Sequence, residues 1–171
     1  MKSATKHHLG HQEFEIWRSV LLGMYSDVHE LLAALKSKRC HISASAMQIM
    51  AGQDFTLTRY KSVDKLVITS ARQLGLEGRV CYGEIFVEGV IRGLLPCPTE
   101  FGAQLRHQYE NQPENELLRI ISCSRFLDPY GRARVFALSQ YKKTPHLDVY
   151  TATPDTEIGL DDRYVWIHPH I

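Results

Sequence analysis

Residues 116–169 carry four β-type runs: ELLRIISCS (116–124), RVFALSQY (134–141), HLDVYTAT (146–153) and RYVWIHP (163–169). Each is rich in β-branched or aromatic residues over a strand-like length. Turn chemistry separates them: Asp-Pro-Tyr-Gly at 128–131, Thr-Pro at 144–145 and Asp-Asp at 161–162. The series predicts an antiparallel meander.

Upstream the period changes. EFEIWRSVLL (13–22) places Phe14, Ile16, Val20 and Leu22 on one side of a strand, with Trp17 and Leu21 on the other. Val28, Leu31, Leu32 and Leu35 then recur at helical spacing. Ser26 or Asp27 caps this helix, and Asp27 with Glu30 fits the capping-box offset. A second short helix is predicted over Ser43–Met50, with Ile42, Ala46 and Met50 on one face and Gly52 as its stop. Short extended segments follow at Phe55–Leu57 and Lys65–Ser70, then a helical turn ending at Gly75. YGEIFVEGVIRG (82–93) reads as a helix with Ile85, Phe86 and Val90 inward. The class predicted is α+β: an N-terminal strand and several short helices packed on a C-terminal antiparallel sheet. Residues 1–12 read as a mobile lead-in, and 13–171 as a single α+β domain, because no linker divides them.

The totals narrow the function classes. The 171 residues balance 20 Lys and Arg against 19 Asp and Glu, for a formal charge of +1. That balance gives no default pull toward nucleic acid or an anionic membrane. The apolar runs are far shorter than the ~20 residues of a spanning helix, so no membrane partner is predicted. The polar start MKSATKHHLGHQ has no apolar h-region, so no secretory signal is expected. Cys40, Cys81, Cys97 and Cys123 form no C-x-x-C pair, which argues against a zinc ribbon or a disulfide scaffold. Thiols in a cytoplasmic protein are the simplest account.

The most distinctive local run is LLPCPTEFGAQLRHQYENQPENE (94–116). Pro98 suits the first turn of a helix, with Cys97 at the N-cap and Glu100 in the first turn. Phe101, Leu105 and Tyr109 form the inward stripe, while Gln104, Arg106 and His107 lie at the sides or outside. A thiol at a helix N-terminus has a lowered pKa, so Cys97 is the candidate nucleophile. His107 lies ~15 Å further along such a helix and is too far to serve as its base. Glu110 is a weak local partner for Arg106, so Arg106 is expected to make a tertiary ion pair or to contact a partner.

The run from about Phe55 to Phe136 resembles a group of small, uncharacterised bacterial proteins. KLVITSARQLGL, YGEI, GLLPCPTEFGAQLRHQY and NQPENELL carry the likeness. The shared steps are Cys97, Pro98 and Glu100, then Leu105, Arg106 and Tyr109, then Gln112 and Pro113; Ala103 stands where the group has proline. The resemblance implies a bacterial origin and brings no activity with it.

Other clusters read more plainly. His7, His8 and His11 belong to the polar lead-in, and His168 and His170 end the chain. Asp155, Glu157, Asp161 and Asp162 suit a solvated loop and lack the EF-hand pattern. Phosphate-loop, dinucleotide, nucleophile-elbow and zincin signatures are absent. No metal and no cofactor are predicted. Arg119, Arg125, Arg132 and Arg134, with aromatics among them, suit a single-stranded nucleic-acid face. The leading expectation is a non-enzymatic module that binds another protein around Glu100, Arg106, Tyr109 and Gln112. The alternatives are a small enzyme using Cys97 and a nucleic-acid binder using the four arginines.

Overall fold

The computed structural model describes residues 13–122 and 126–169, so the expected lead-in at 1–12 lies outside the described residues. Within them the chain order is β1 (Arg18–Leu22), α1 (Val28–Ser37), β2 (His41–Ile42), α2 (Ala44–Ala51), β3 (Ser62–Thr69), β4 (Val80–Cys81), α3 (Tyr82–Ile91), α4 (Phe101–Gln108), β5 (Leu117–Ile120), β6 (Phe126–Leu127), β7 (Ala133–Tyr141), β8 (Thr144–Thr151), β9 (Glu157–Ile158) and β10 (Arg163–Ile167). The main sheet runs β1-β3-β10-β5-β7-β8-β2, with β6 beside β7, while β4 and β9 form a separate pair. The α+β class expected from the sequence holds.

The sheet is mixed, where an antiparallel one was expected. The meander of β5, β7 and β8 is antiparallel, with Leu118 opposite Leu138 and Leu138 opposite Leu147. But β10 runs parallel to β5, with Tyr164 opposite Arg119, and β2 runs parallel to β8. The cause is a crossover. Residues 152–162 leave β8, pass through β9 and return the chain so that β10 inserts between β3 and β5. The N-terminal strand is likewise part of the sheet, since β1 pairs antiparallel with β3.

The β7–β8 reversal also differs from expectation. Thr144 and Pro145 lie inside β8. The turn is Lys142-Lys143, at φ of 48° and 63°. Left-handed geometry at both central residues matches the twist of a two-residue hairpin. Glu114 accepts both backbone N–H groups, at 3.2 and 2.7 Å.

Both faces of the sheet are covered. In β10, Val165 and Ile167 join one core, and Tyr164 and Trp166 the other. The first core is capped by α1, α2 and α4, through Leu31, Leu35, Met50, Phe101 and Leu105. Local signals set α1 and α2: Asp27 accepts from Glu30 N at 2.9 Å, Ser43 accepts from Ala46 N at 3.2 Å, and Gly52 closes α2. The second core lies under α3 and the β4–β9 pair, around Ile85, Tyr164 and Trp166. Here one inward residue differs. Val90 is 45% exposed, and Gly89 faces the sheet instead. A Cβ at Gly89 would lie 2.3 Å from Trp166 Cη2, so the helix approaches the indole at a distance only glycine permits.

Candidate functional site

The run singled out in the sequence folds into the interior. Cys97 does not cap a helix. Its backbone stays extended, donating from N to Ile121 O at 2.7 Å and bridging to Ser122. Helix α4 therefore starts three residues later than the proline suggests, at Phe101, whose N–H bonds Pro98 O at 3.2 Å. The Cys97 thiol is 0% exposed and donates to Val165 O at 3.7 Å. This is the setting of a packed cysteine.

Glu100, Arg106, Tyr109 and Gln112 are all buried. The surface expected around them is a polar core, because α4 is enclosed by α1, β1, β7 and β8. Glu100 accepts from Thr58 N at 2.7 Å, from Thr58 Oγ1 and from Gln104 Nε2 at 3.0 Å. Arg106, 3% exposed, donates to Gln112 Oε1, to Tyr109 O and to Ser139 O at 3.1 Å. Gln112 donates onward to Leu138 O at 3.0 Å and Glu116 O at 3.2 Å. Tyr109 donates to Glu116 Oε2 at 2.9 Å, and Arg18 stacks 4.2 Å from its ring centroid. Burial, then the bond to Glu116, pushes the Tyr109 phenol up to about 12. The network ties α4 to β7 and to the start of β5. Gln104 and Arg106, expected at the helix sides, are inside it. Arg106 makes no ion pair among the described residues, and Glu110 pairs with Lys38 instead.

The arginines of the nucleic-acid reading are placed apart. Arg119 is buried, 3.1 Å from Asp162 and stacked 4.3 Å from the Tyr150 ring centroid. Arg132 and Arg134 converge on Asp128, at 2.8 and 2.9 Å. Arg125 lies outside the described residues. Desolvation raises the Asp128 carboxyl, but bonds from Arg132 and Arg134 and the Tyr130 N–H outweigh it and hold the group at about 2. The acidic loop also pairs with arginine: Asp161 with Arg72 at 2.8 Å, and Glu157 with Arg79 at 2.7 Å. Among the described residues no group of three His, Cys, Asp or Glu is placed to hold a metal. His7, His8, His11 and His170 lie outside them. Nor is any described helix long and apolar enough to cross a membrane.

The open surface that sequence reasoning missed lies beside α3. A groove of about 560 Å³ is lined by Tyr82, Phe86, Val87, Leu127, Val135 and Pro154, among others. Its walls continue into an exposed apolar stripe. Val87 is 56% exposed, Ile91 61% and Leu127 61%. Val87, Val90 and Ile91 are i, i+3 and i+4 neighbours, so they share one helix face. The signal was in the sequence: α3 is apolar on nearly every side, and only one side meets the sheet. Comparison with family models, curated proteins and solved structures finds no match to this chain.

Proposed function

We propose that the chain is a non-enzymatic protein-binding module of the bacterial cytosol, and that its binding surface is the α3 groove. The supporting observation is the continuity of groove and stripe. A closed pocket would suit a small molecule. Here the apolar lining runs out along Val87, Val90 and Ile91 on the open face of a helix, and the exposed Leu127 also lines the groove. Exposed apolar surface of this kind marks protein contacts. Its occupant is a short apolar segment of a partner protein. Thiols at Cys40, Cys81 and Cys97 suit a reducing compartment, and the resemblance of the Phe55–Phe136 run supports a bacterial source.

The test is site-specific photocrosslinking in bacterial cells. A benzophenone side chain at position 87 should give discrete protein adducts, and the same group at the exposed Tyr60 should not. Adding Ile91→Lys to the position-87 probe should abolish the adducts while leaving the melting temperature unchanged. Equal adducts at both positions, or adducts insensitive to Ile91→Lys, would refute the reading.

A further inference from the structure

A second cavity, of about 240 Å³, opens on the other face of the sheet, where Lys38, Cys40, Arg106, Tyr109, Glu110 and Lys143 contribute to its lining. Arg106 and Tyr109 are buried, whereas Glu110 and Lys143 are exposed. The deep wall is therefore the arginine, and the mouth lies between an acid and a lysine.

The arginine is unusual for its acceptors. All three are neutral: the Gln112 amide oxygen and the carbonyls of Tyr109 and Ser139. Its Nε has no hydrogen-bond partner among the described residues. The neighbouring acids are engaged elsewhere. Glu110 pairs with Lys38, Glu116 takes Tyr109 and Arg163, and Glu114 holds the Lys142–Lys143 turn. Glu116 attracts the guanidinium only through space, and a buried charge whose direct hydrogen-bond acceptors are neutral gains from an anion that reaches it. Burial also lowers the Arg106 pKa, although guanidinium stays charged in proteins.

We propose that this cavity binds a small organic monocarboxylate, with the carboxylate on the Arg106 guanidinium and the Lys143 ammonium at the mouth. Guanidinium matches a planar carboxylate with parallel N–H donors. Leu35, Tyr109 and Pro145 supply apolar wall for a short hydrocarbon body. The site is independent of the α3 groove.

The test is a titration of the full chain by ¹⁵N NMR at low salt. The probes are butyrate, benzoate, inorganic phosphate and benzyl alcohol, the last being a neutral relative of benzoate. Saturable shifts with at least one carboxylate, clustered at residues 38–40, 106–110 and 143–145, are expected, with none for benzyl alcohol. Lys143→Glu lies at an exposed position, so it should fold normally and weaken carboxylate binding about tenfold or more. Saturation by carboxylate should also slow alkylation of Cys40, whose thiol burial pushes up to about 11. Four results would each overturn the proposal: no saturable shift with either carboxylate, equal binding of benzyl alcohol, binding by phosphate alone, or indifference to Lys143→Glu.

Discussion

Glu100 is a buried carboxylate whose partners are neutral donors. It accepts the backbone N–H and hydroxyl of Thr58 and the amide of Gln104. It thereby fastens the loop before β3 to the first turn of α4. Replacing it with alanine strands the buried Gln104 amide and leaves the half-buried Thr58 donors without their acceptor, so Glu100→Ala should cost about 1–3 kcal/mol in urea unfolding. Glu100→Gln keeps one acceptor oxygen and should cost less. A loss below ~0.5 kcal/mol for the alanine variant, the range of an ordinary surface change, would mean that Glu100 does not hold this joint. The sequence picks out Glu100 and Arg106 as distinctive residues. It does not reveal that Thr58, forty-two positions upstream of Glu100, or the carbonyl of Ser139, thirty-three downstream of Arg106, will meet them.

At the scale of elements, one close-approach glycine serves each face of the sheet. Gly89 sets α3 against Trp166, and Gly102 sets α4 against Phe136, where a Cβ would lie 2.3 Å from the Phe136 Cβ. Alanine favours a helix interior over glycine by about 1 kcal/mol. Trp166 cannot yield, because it is fully buried and its Nε1 bonds Thr69 Oγ1 at 3.0 Å. The clash should win, leaving Gly89→Ala less stable by about 1–3 kcal/mol. Thermal melts with Val87→Ala as the exposed control would check this, and a Gly89→Ala protein as stable as its parent would refute it. The segment leading into β7 carries a pH dependence. The Asp128 carboxyl, ordinarily at 3.8, is held at about 2. A depressed carboxyl contributes stability that is complete above its unfolded pKa and is lost as pH falls through the folded one. The stability gap between the parent and Asp128→Asn should therefore be widest near neutrality and close between pH 3.8 and about 2. Urea midpoints for both proteins across that window test it; a gap independent of pH would refute the assignment.

Across the whole molecule, the two cores share one set of strands. Trp17 packs against the first and Trp166 lies within the second. Since β10 contributes alternate side chains to both, neither core can open without disrupting the other. Trp17→Phe and Trp166→Phe leave one reporter each, and the two proteins' tryptophan fluorescence should show single transitions with m-values matching circular dichroism. A fluorescence transition separate from the circular dichroism in either protein would show the faces unfolding independently. The sequence by itself determined the locally encoded parts. The β-type runs became β5, β7, β8 and β10, and Asp27, Ser43 and Gly52 bound their helices where expected. These follow from bonds within a few residues and from the strand preference of β-branched and aromatic residues between turns. Only the tertiary structure decided that β10 lies between β3 and β5, that Arg106 faces inward, and that Val87 and Ile91 face out. Strand neighbours are chosen by pairing across long separations, and a helix that is apolar on most sides does not specify which side the sheet will take.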